Sequence, residues 1–465
     1  MSNRTEGRLA AGSACADITP EPGIQLAGDC GRHRPVEGVK EPLYARALVL
    51  ESGETRLCLL SLDLLGATNA CADEVRERVA DALGIDSEAV MFHVTQNHAA
   101  PSLGHCFVVG EKTRLPENIP WLRGGDERYN EPTIAKTVEA AREAAEQLEP
   151  VIVQAGRGID GRVAFNRRCI MRDGTARRHP RTCDPEILYV EGPTDPEVGV
   201  MRLKSETGDT IALLLHHTCH PTHGFGGNIV TSDWPGVWAE MMQKEEGEET
   251  VALVLNGCCG NIHHTNHLDP HPAHDHERMA GLLSETTRKV LEDLRYQEGK
   301  ELAVARTILE LPLREVPPAE IEDAERILRE NPEPVWKNEN AVDRKWVDAA
   351  TRMDLSDHRA ACPIAQYEVQ VFRLADTAIV AVMGEPFVEL QLGIKLASPA
   401  SQTYVAHFCN GYAGYIPTPE ALARSVHESG YGTGQEGYTN IASKFEADAF
   451  DHVHSAVKEL LGELW

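Results

Sequence analysis

The sequence lacks the features typical of proteins that cross membranes, bind nucleic acid or are exported. It has no run of about 18 apolar residues that could cross a bilayer. The opening MSNRTEGRLAAGSACADITP contains no apolar run typical of a signal peptide. Basic residues are few, with 45 Lys and Arg against 72 Asp and Glu, so the formal charge is −27. Because basic side chains neutralise phosphates, this charge argues against nucleic acid and anionic membranes as partners.

Cysteine motifs are lacking as well, although the chain has twelve cysteines. They are scattered, and the adjacent Cys258 and Cys259 do not easily bridge to each other. Without an export signal, free thiols in a reducing compartment are the expected state, and we predict a cytoplasmic protein. Aromatic residues are scarce at 5%, which favours a small polar molecule as the binding partner. The sequence is also compatible with a homo-oligomer.

Short apolar runs alternate with segments of helical spacing. The predicted strands are rich in branched residues and comprise Ala45–Leu50, Leu57–Leu62, Val90–Val94, Val151–Gln154, Ile211–Leu215, Val251–Leu255, Tyr367–Leu374, Ala378–Met383 and Thr403–Phe408. The predicted helices are Cys71–Leu83, Thr133–Leu148, His276–Leu294 and Pro386–Leu396. This alternation predicts an α/β fold, with a layered mixed β-sheet core flanked by helices, in one domain over residues 1–465.

The segment Pro317–Thr351 departs from this alternation. It is charged, has helical spacing and carries few apolar positions. We therefore predict a helical insertion around residues 317–351, outside the core. Either a mobile lid or a surface hairpin fits the pattern, and the hairpin is the more frequent of the two.

Histidine is concentrated directly after predicted strands. The run LLLHHTCHPTHG contains His216, His217, His220 and His223, and VTQNHAAPS contains His98. A further run, LNGCCGNIHHTNHLDPHPAHDH, begins with a predicted strand and contains six histidines. Ligands of open α/β sheets bind beyond the carboxyl ends of strands, so these loops can converge there. Imidazoles are common zinc ligands, and the pattern predicts a metal site at those strand ends. Structural hydrogen bonding is the alternative for any one of them.

Three further histidines and two other segments leave alternatives open. His271, His274 and His276 form either a second metal site or a solvated loop, and the loop is favoured. VMGEPFVE places Glu385 between a strand and a helix, where a carboxylate can bind metal or interact with the helix dipole. CNGYAGYIPTPEA places Tyr412 in a glycine-rich loop, where a phenol can bind metal or substrate or simply pack.

Taken in order, these segments resemble the N-terminal catalytic domain of the neutral/alkaline non-lysosomal ceramidase family. The resemblance is carried by GSACADITPEPGIQLAGD, SLDLLG, TQNHAAPS, FNRR at Phe165–Arg168, HTCHPT, SDWPG, NGCCGNI, MGEPF and NGYAGYIPTPE. It implies a zinc hydrolase with one Zn²⁺ per chain, held by two histidines, a glutamate and a tyrosine. By this resemblance His220, Glu385 and Tyr412 are metal ligands, and Arg167 contacts the substrate.

The sequence departs from the family at two positions. Gln96 stands where the family has the ligand histidine of His-Thr-His-Ser-Gly. We therefore expect His98 to bind the metal, and the alternatives are a neighbour such as His217 or an altered site. His263 stands at the serine of Gly-Asp-Val-Ser-Pro and can act as an acid, a base or a further ligand. The family's immunoglobulin-like C-terminal domain and a secretion signal are not recognisable, so ceramide is not the expected substrate.

Three functional hypotheses follow. The first is a zinc hydrolase that cleaves an amide or ester bond of a small polar substrate with metal-activated water. Its metal ligands would be His98, His220, Glu385 and Tyr412, and its proton-transfer and charge-stabilising residues His263, Arg167 and His217. The second is a metal-dependent lyase or isomerase acting on a sugar or polyol derivative, and the third is a catalytically silent metal- or partner-binding protein. The same donors would also accept manganese, iron or nickel.

Overall fold

Two main sheets form the core of the protein. The computed structural model describes residues 8–427 and 443–465, except Val109, Glu111, Glu248, Glu298 and Lys300. Within these residues the larger sheet has nine strands: β1 Leu9–Asp17, β2 Tyr44–Ser52, β3 Thr55–Leu62, β4 Val90–Val94, β5 Glu149–Ile159, β6 Glu197–Ser205, β7 Thr210–His217, β8 Val251–Asn256 and β9 Arg295–Tyr296. Their order is β8-β7-β6-β5-β1-β2-β3-β4, and β9 adds to β5.

The second sheet has four strands and packs face to face on the first. Its strands are β10 Leu302–Pro312, β11 Ile364–Leu374, β12 Thr377–Val382 and β13 Gln402–Ala406, in that order across the sheet. Leu48 and Leu50 of β2 contact the shared core with Phe372 and Ile379 of the second sheet. Ala47 and Val49 face the opposite side, because successive strand residues alternate between faces.

Helices cover both outer faces, giving four layers in the order helix, sheet, sheet, helix. The helices are α1 Asn69–Leu83, α2 Glu127–Glu146, α3 Asp233–Glu246, α4 His276–Glu292, α5 Pro318–Glu330, α6 Arg344–Ala361, α7 Val388–Ala397, α8 Pro419–His427 and α9 Ala449–Leu464. Helices α1 and α2 pack on one half of the larger sheet, and α3 and α4 on the other half. Helices α7 and α9 cover the second sheet. The predicted α/β fold class is confirmed.

Three strand–helix–strand units direct the chain toward one place. β3 and β4 are parallel and connected through α1, β7 and β8 through α3, and β12 and β13 through α7. Parallel neighbours end at the same edge of their sheet, so the loops that follow them lie together. Those loops carry the four predicted metal ligands and His263.

The predicted insertion around residues 317–351 is more closely packed than its sequence indicates. It contains α5, the start of α6 and a small hairpin of Trp336–Asn338 with Ala341–Val342. The side chain of Trp346 is buried in a small apolar cluster that also contains Leu115 and Leu122. Arg344, at the start of α6, reaches the cavity described below. The segment therefore rests on the rest of the protein rather than standing out as an isolated hairpin.

Several elements differ from the sequence-based prediction. Helix α2 starts at Glu127, six residues before the predicted Thr133, because Pro132 is accommodated inside the helix and Asp126 caps its N-terminus. The strands β1, β6 and β10 and the helices α3 and α9 were not predicted. All twelve cysteines lie in the described part of the chain and have free thiols. None of the described helices combines the length and the apolar composition needed to cross a membrane.

Buried histidines form hydrogen bonds between the ends of neighbouring strands. Their lowered pKa values are expected to make the free energy of unfolding depend on pH. The Asn256 N–H donates to Nε2 of His93 (3.2 Å), so its proton sits on Nδ1, which donates to the His407 carbonyl (2.7 Å). Burial lowers the pKa of His93 to about 4 and also lowers the pKa of His216. Between pH 6.5 and about 4, these imidazoles take up a proton in the unfolded chain but not in the folded one.

We therefore expect the free energy of unfolding to fall as the pH falls from 7 to 5, by about 2 kcal/mol for each such histidine. Urea unfolding at the two pH values measures this. His93→Gln should be less stable than the wild type at pH 7 but should lose less stability between pH 7 and pH 5. Equal losses in the two proteins would show that His93 does not contribute to the pH dependence.

Candidate metal site and cavity

A cavity of about 580 Å³ lies where the parallel strands end. Its polar lining comes mainly from the loops after those strands: Gln96 and His98 after β4, His220 and Thr222 after β7, His263 and His264 after β8, Glu385 after β12, and Tyr412 and Tyr415 after β13. The predicted metal ligands His98, His220, Glu385 and Tyr412 therefore line one cavity, as do Arg167 and His263.

His220 has one ring nitrogen fixed and the other directed at a carboxylate. Its Nδ1 lies 2.6 Å from the Cys259 carbonyl and 3.2 Å from the Ile262 carbonyl, and both oxygens can only accept. The proton is therefore on Nδ1. Burial first, and then Arg167, lower the pKa of His220 well below its usual range, so the ring is neutral and Nε2 carries a lone pair. The Nε2 atom lies 3.2 Å from Oε2 of Glu385.

Glu385 is held by a tight backbone turn and two polar neighbours. Gly384 has a φ of 65°, and a Cβ there would lie 2.2 Å from the Gly414 carbonyl oxygen. The pair Glu385–Pro386 runs parallel to Tyr415–Ile416, which brings the tyrosine loop beside the carboxylate. Nε2 of Gln96 donates to Oε2 of Glu385 (2.5 Å), and the Tyr412 hydroxyl donates to Oε1 (3.4 Å).

His98 faces the same cavity with unused ring nitrogens. Both nitrogens are buried and have no hydrogen-bond partner among the described residues. The ring centroid of His98 lies 5.8 Å from that of His220. Burial is the largest cause that lowers the pKa of His98 to about 3, so the imidazole is neutral. The glycine at position 28, with a φ of 87°, allows this approach, because a Cβ there would lie 2.6 Å from Nδ1. An orphaned buried imidazole is unfavourable unless something binds it.

These observations fit a divalent transition metal. A lone pair on His220 Nε2 and a carboxylate oxygen 3.2 Å away require a proton or a cation between them. Imidazole nitrogen, carboxylate oxygen and phenol oxygen are all donors that zinc accepts. The carbonyls that hold Nδ1 of His220 orient the ring in the way usual for metal-binding histidines. The residues present therefore suit the predicted ligand set.

Arg167 and His263 adjoin this group. The strand pair Phe165–Asn166 with Ile262–His263 places Arg167 next to His263. Nη2 of Arg167 donates to the Gly260 carbonyl (2.5 Å) and to the Tyr415 hydroxyl (3.2 Å). The Tyr415 hydroxyl in turn lies 3.5 Å from Nε2 of His220. Arg167 is thus connected to the candidate metal ligands through one tyrosine.

The tautomer of His263 follows from its neighbours. The Thr265 N–H donates to Nδ1 (3.1 Å), so the proton is on Nε2, which donates to Oγ1 of Thr222 (2.8 Å). The Thr222 hydroxyl lies 3.4 Å from Nδ1 of His264, and Nε2 of His264 lies 3.3 Å from Nδ1 of His274. A chain of hydrogen bonds therefore leads from His263 to the exposed His274.

His217 is not brought to the cavity. It ends β7 beside His216, and the two rings lie on opposite faces of the sheet. His216 stacks on Tyr404 of the second sheet, whereas His217 packs edge-on against Trp234 of α3 and its Nδ1 donates to the Glu197 carbonyl. His220, three residues beyond the strand end, is the histidine of this segment that reaches the cavity with its free nitrogen.

Several cavity residues were not singled out from the sequence, Arg178, His179 and Thr222 among them. Arg178 ends the short strand Ala176–Arg178 and His179 follows it, far from any predicted strand, and no local pattern marks them. Thr222 follows the predicted ligand by two residues and could have been suspected from that spacing. His271 and His276 do not line the cavity, whereas His274 does.

A second group outside the cavity has the spacing of metal ligands. Glu41, His276 and Glu277 place one potential donor atom each within 4.8 Å of the others. The Lys40 ammonium donates to Glu277 (2.6 Å) and lies 3.3 Å from Glu41. Because the Lys40 ammonium already pairs with both carboxylates, this group is a weaker candidate than the cavity.

Two solved structures superpose on nearly the whole chain: neutral ceramidase from Pseudomonas aeruginosa, and a ceramidase complexed with C2. The TM-scores are 0.71 and 0.72, the identities 16% and 15%, and each match covers 98% of this chain and 74% and 75% of the other. This chain has the neutral ceramidase fold. Its sequence matches no family model and no curated protein sequence. At this identity the two matches show a shared fold.

Proposed function

We propose that the protein is a metal-dependent hydrolase, with zinc as the metal, that cleaves an amide or ester bond of a small polar substrate. The observation that carries this proposal is the neutral His220, whose Nε2 lone pair faces the Glu385 carboxylate at 3.2 Å. The ceramidase fold supports the same reaction class, because ceramidases cleave an amide bond. A volume of about 580 Å³ suits a small substrate.

The proposed metal ligands are His98, His220, Glu385 and Tyr412. A divalent ion held there would supply a Lewis acid for the scissile carbonyl and would lower the pKa of a water to roughly 7. Gln96 orients Glu385 through its 2.5 Å hydrogen bond. The positive charge of Arg167 stabilises negative charge that develops on the substrate oxygen, and its contact with Gly260 holds the guanidinium in place.

His263 is the proposed proton-transfer residue. Its Nε2–H donates to Thr222 at 2.8 Å, and the chain through His264 to His274 gives a proton a route to solvent. A neutral imidazole can accept a proton and pass it to a leaving group. His263 would thus take over proton movement at the position where the resemblance places a serine in ceramidases.

A hydrolysis assay tests the reaction class. The purified protein is incubated with a panel of N-acetylated amino acids and their esters, and the masses of the products are measured by mass spectrometry. Hydrolysis gives fragments whose summed mass exceeds the substrate mass by one water, and chelation should abolish the reaction. With sugar derivatives as substrates, a product of unchanged mass would instead identify an isomerase. Fragments formed without added water would identify a lyase.

Replacing His263 separates proton transfer from metal binding. We expect His263→Ala to lower kcat about 10²- to 10⁴-fold, because general acid–base catalysis contributes about that much, and to leave the metal content unchanged. His271→Ala removes an exposed histidine outside the cavity and should leave kcat at the wild-type value. Full activity of His263→Ala would exclude the proposed role, as would a parallel loss of metal.

A further inference from the structure

One wall of the cavity carries positive charge in an otherwise acidic protein. The basic patch, as we call it, consists of two charged arginines, Arg167 and Arg178, and of the imidazoles of His179, His263, His264 and His274. The whole chain has 72 acidic against 45 basic residues. Among the described residues that line the cavity, however, Glu385 is the one carboxylate, and it lies with the candidate metal ligands. Arginines therefore outnumber carboxylates among these lining residues, which is the reverse of the balance in the whole chain.

Five members of the basic patch form a continuous row, and the sixth, Arg178, directly precedes His179 in the chain. Nη1 of Arg167 lies 3.5 Å from Nε2 of His179. The ring centroids of His179 and His263 are 4.5 Å apart, and those of His263 and His264 are 4.1 Å apart. His274 continues the row through its 3.3 Å contact with His264. Arg344 also lines the cavity, where its guanidinium pairs with Asp348 at 2.7 Å.

The other side of the cavity is apolar. Leu65 and Phe408 lie close to the glycines at positions 28 and 66, and Phe225 packs edge-on against His98 at 5.6 Å. The candidate metal ligands connect this apolar side to the basic patch. A bound substrate would therefore meet an apolar surface at one end and a cationic surface at the other.

The buried histidines of the basic patch are neutral. Burial first, and then His264, His179 and Arg167, lower the pKa of His263 well below its usual range, so its imidazole is a neutral hydrogen-bonding group. The positive charge of the basic patch therefore comes from Arg167 and Arg178, and this charge favours a negatively charged ligand over a neutral one.

We infer that the basic patch holds a carboxylate or phosphate group of the substrate, so that the preferred substrate is a small amphiphilic anion such as an N-acyl amino acid. This inference rests on the proposed hydrolase function only in calling the bound molecule a substrate. The binding itself can be measured without turnover. Guanidinium groups recognise carboxylate and phosphate through charge-assisted hydrogen bonds.

Calorimetric titration of the purified holoenzyme with a matched pair of ligands tests the inference. N-acetylglycine carries a carboxylate where N-acetylglycinamide carries a neutral amide. We expect N-acetylglycine to bind about 10- to 100-fold more tightly, as charge-assisted hydrogen bonds imply. Arg178→Gln should remove most of this preference, and Arg178→Lys should keep most of it. Arg177→Gln, at an arginine that lies outside the cavity and pairs with Asp173, is the matched control and should behave as the wild type.

The outcomes separate this inference from the proposed function. Equal affinities for the two ligands in the wild type would overturn it. So would a preference that survives unchanged in Arg178→Gln, because Arg178 would then not bind the carboxylate. Inorganic phosphate that competes with N-acetylglycine would extend the site to phosphates, and no competition would restrict it to carboxylates. A preference for N-acetylglycine over N-acetylglycinamide, without hydrolysis of any substrate in the assay, would support anion binding by the basic patch. The same result would contradict the proposed hydrolase function.

Discussion

Replacing His220 by alanine is expected to remove the bound metal and to lower kcat/KM by on the order of 10³-fold or more, since a metal supplies several kcal/mol of transition-state stabilisation. His220 is the ring whose orientation is most firmly set, because two carbonyls hold its Nδ1 and leave Nε2 for the ion. Without it, the Glu385 carboxylate and the Tyr412 phenol remain as donors beside His98. Loss of a charge-neutral ligand from such a set weakens binding and frees the metal during purification.

Elemental mass spectrometry and steady-state kinetics measure the two effects on the same preparation. The control is His271→Ala, which removes an exposed histidine and should retain both metal and activity. A His220→Ala protein that still contains one equivalent of metal would place the ion elsewhere. Glu41, His276 and Glu277 would then be the first residues to examine.

Replacing Gly384 by alanine is expected to lower the free energy of unfolding by about 3 kcal/mol or more and to reduce metal content. The backbone at this position has a φ of 65°, where a Cβ costs about 1 to 2 kcal/mol. The added Cβ would also lie 2.2 Å from the Gly414 carbonyl oxygen, which is backbone and cannot rotate away. Relief of this clash must move Gly384, Gly414 or both, and with them Glu385 and the tyrosine loop.

Gly53→Ala isolates the steric part of this effect. Its φ of 62° is nearly the same, but nothing lies within 4 Å of a Cβ built there. We expect a loss of about 1 to 2 kcal/mol with unchanged metal content, because only the backbone strain applies. Urea unfolding of both variants gives the comparison. Equal losses would mean that the turn before Glu385 adapts to a side chain, and that Gly384 does not fix the position of the carboxylate.

The strands that position the site were the easiest part of the fold to predict. Val90–Val94 was predicted at its observed bounds, and Val251–Leu255 is one residue short, because buried parallel strands read as continuous apolar runs. Strand β10, in contrast, has many half-exposed residues and no such run. The way in which the two sheets stack depends on contacts between residues distant in sequence, and no local pattern contains that information.

The candidate site was predictable to the extent that its residues follow strands. His220, Glu385 and Tyr412 follow predicted strands and were assigned as ligands by the resemblance, and all three line the cavity. His217 was named from the same run as His220, but strand alternation turns it toward α3. Arg178 comes from a hairpin far from the predicted strands, so only the folded chain shows that it joins them.

The most direct test of the account is a crystal structure of the metal-loaded protein, with anomalous diffraction recorded at the absorption edge of the metal found by elemental analysis. The account predicts one strong anomalous peak per chain beside Nε2 of His220 and the carboxylate of Glu385, with His98 and Tyr412 around it. A fully occupied peak at Glu41, His276 and Glu277, with none at His220, would contradict it.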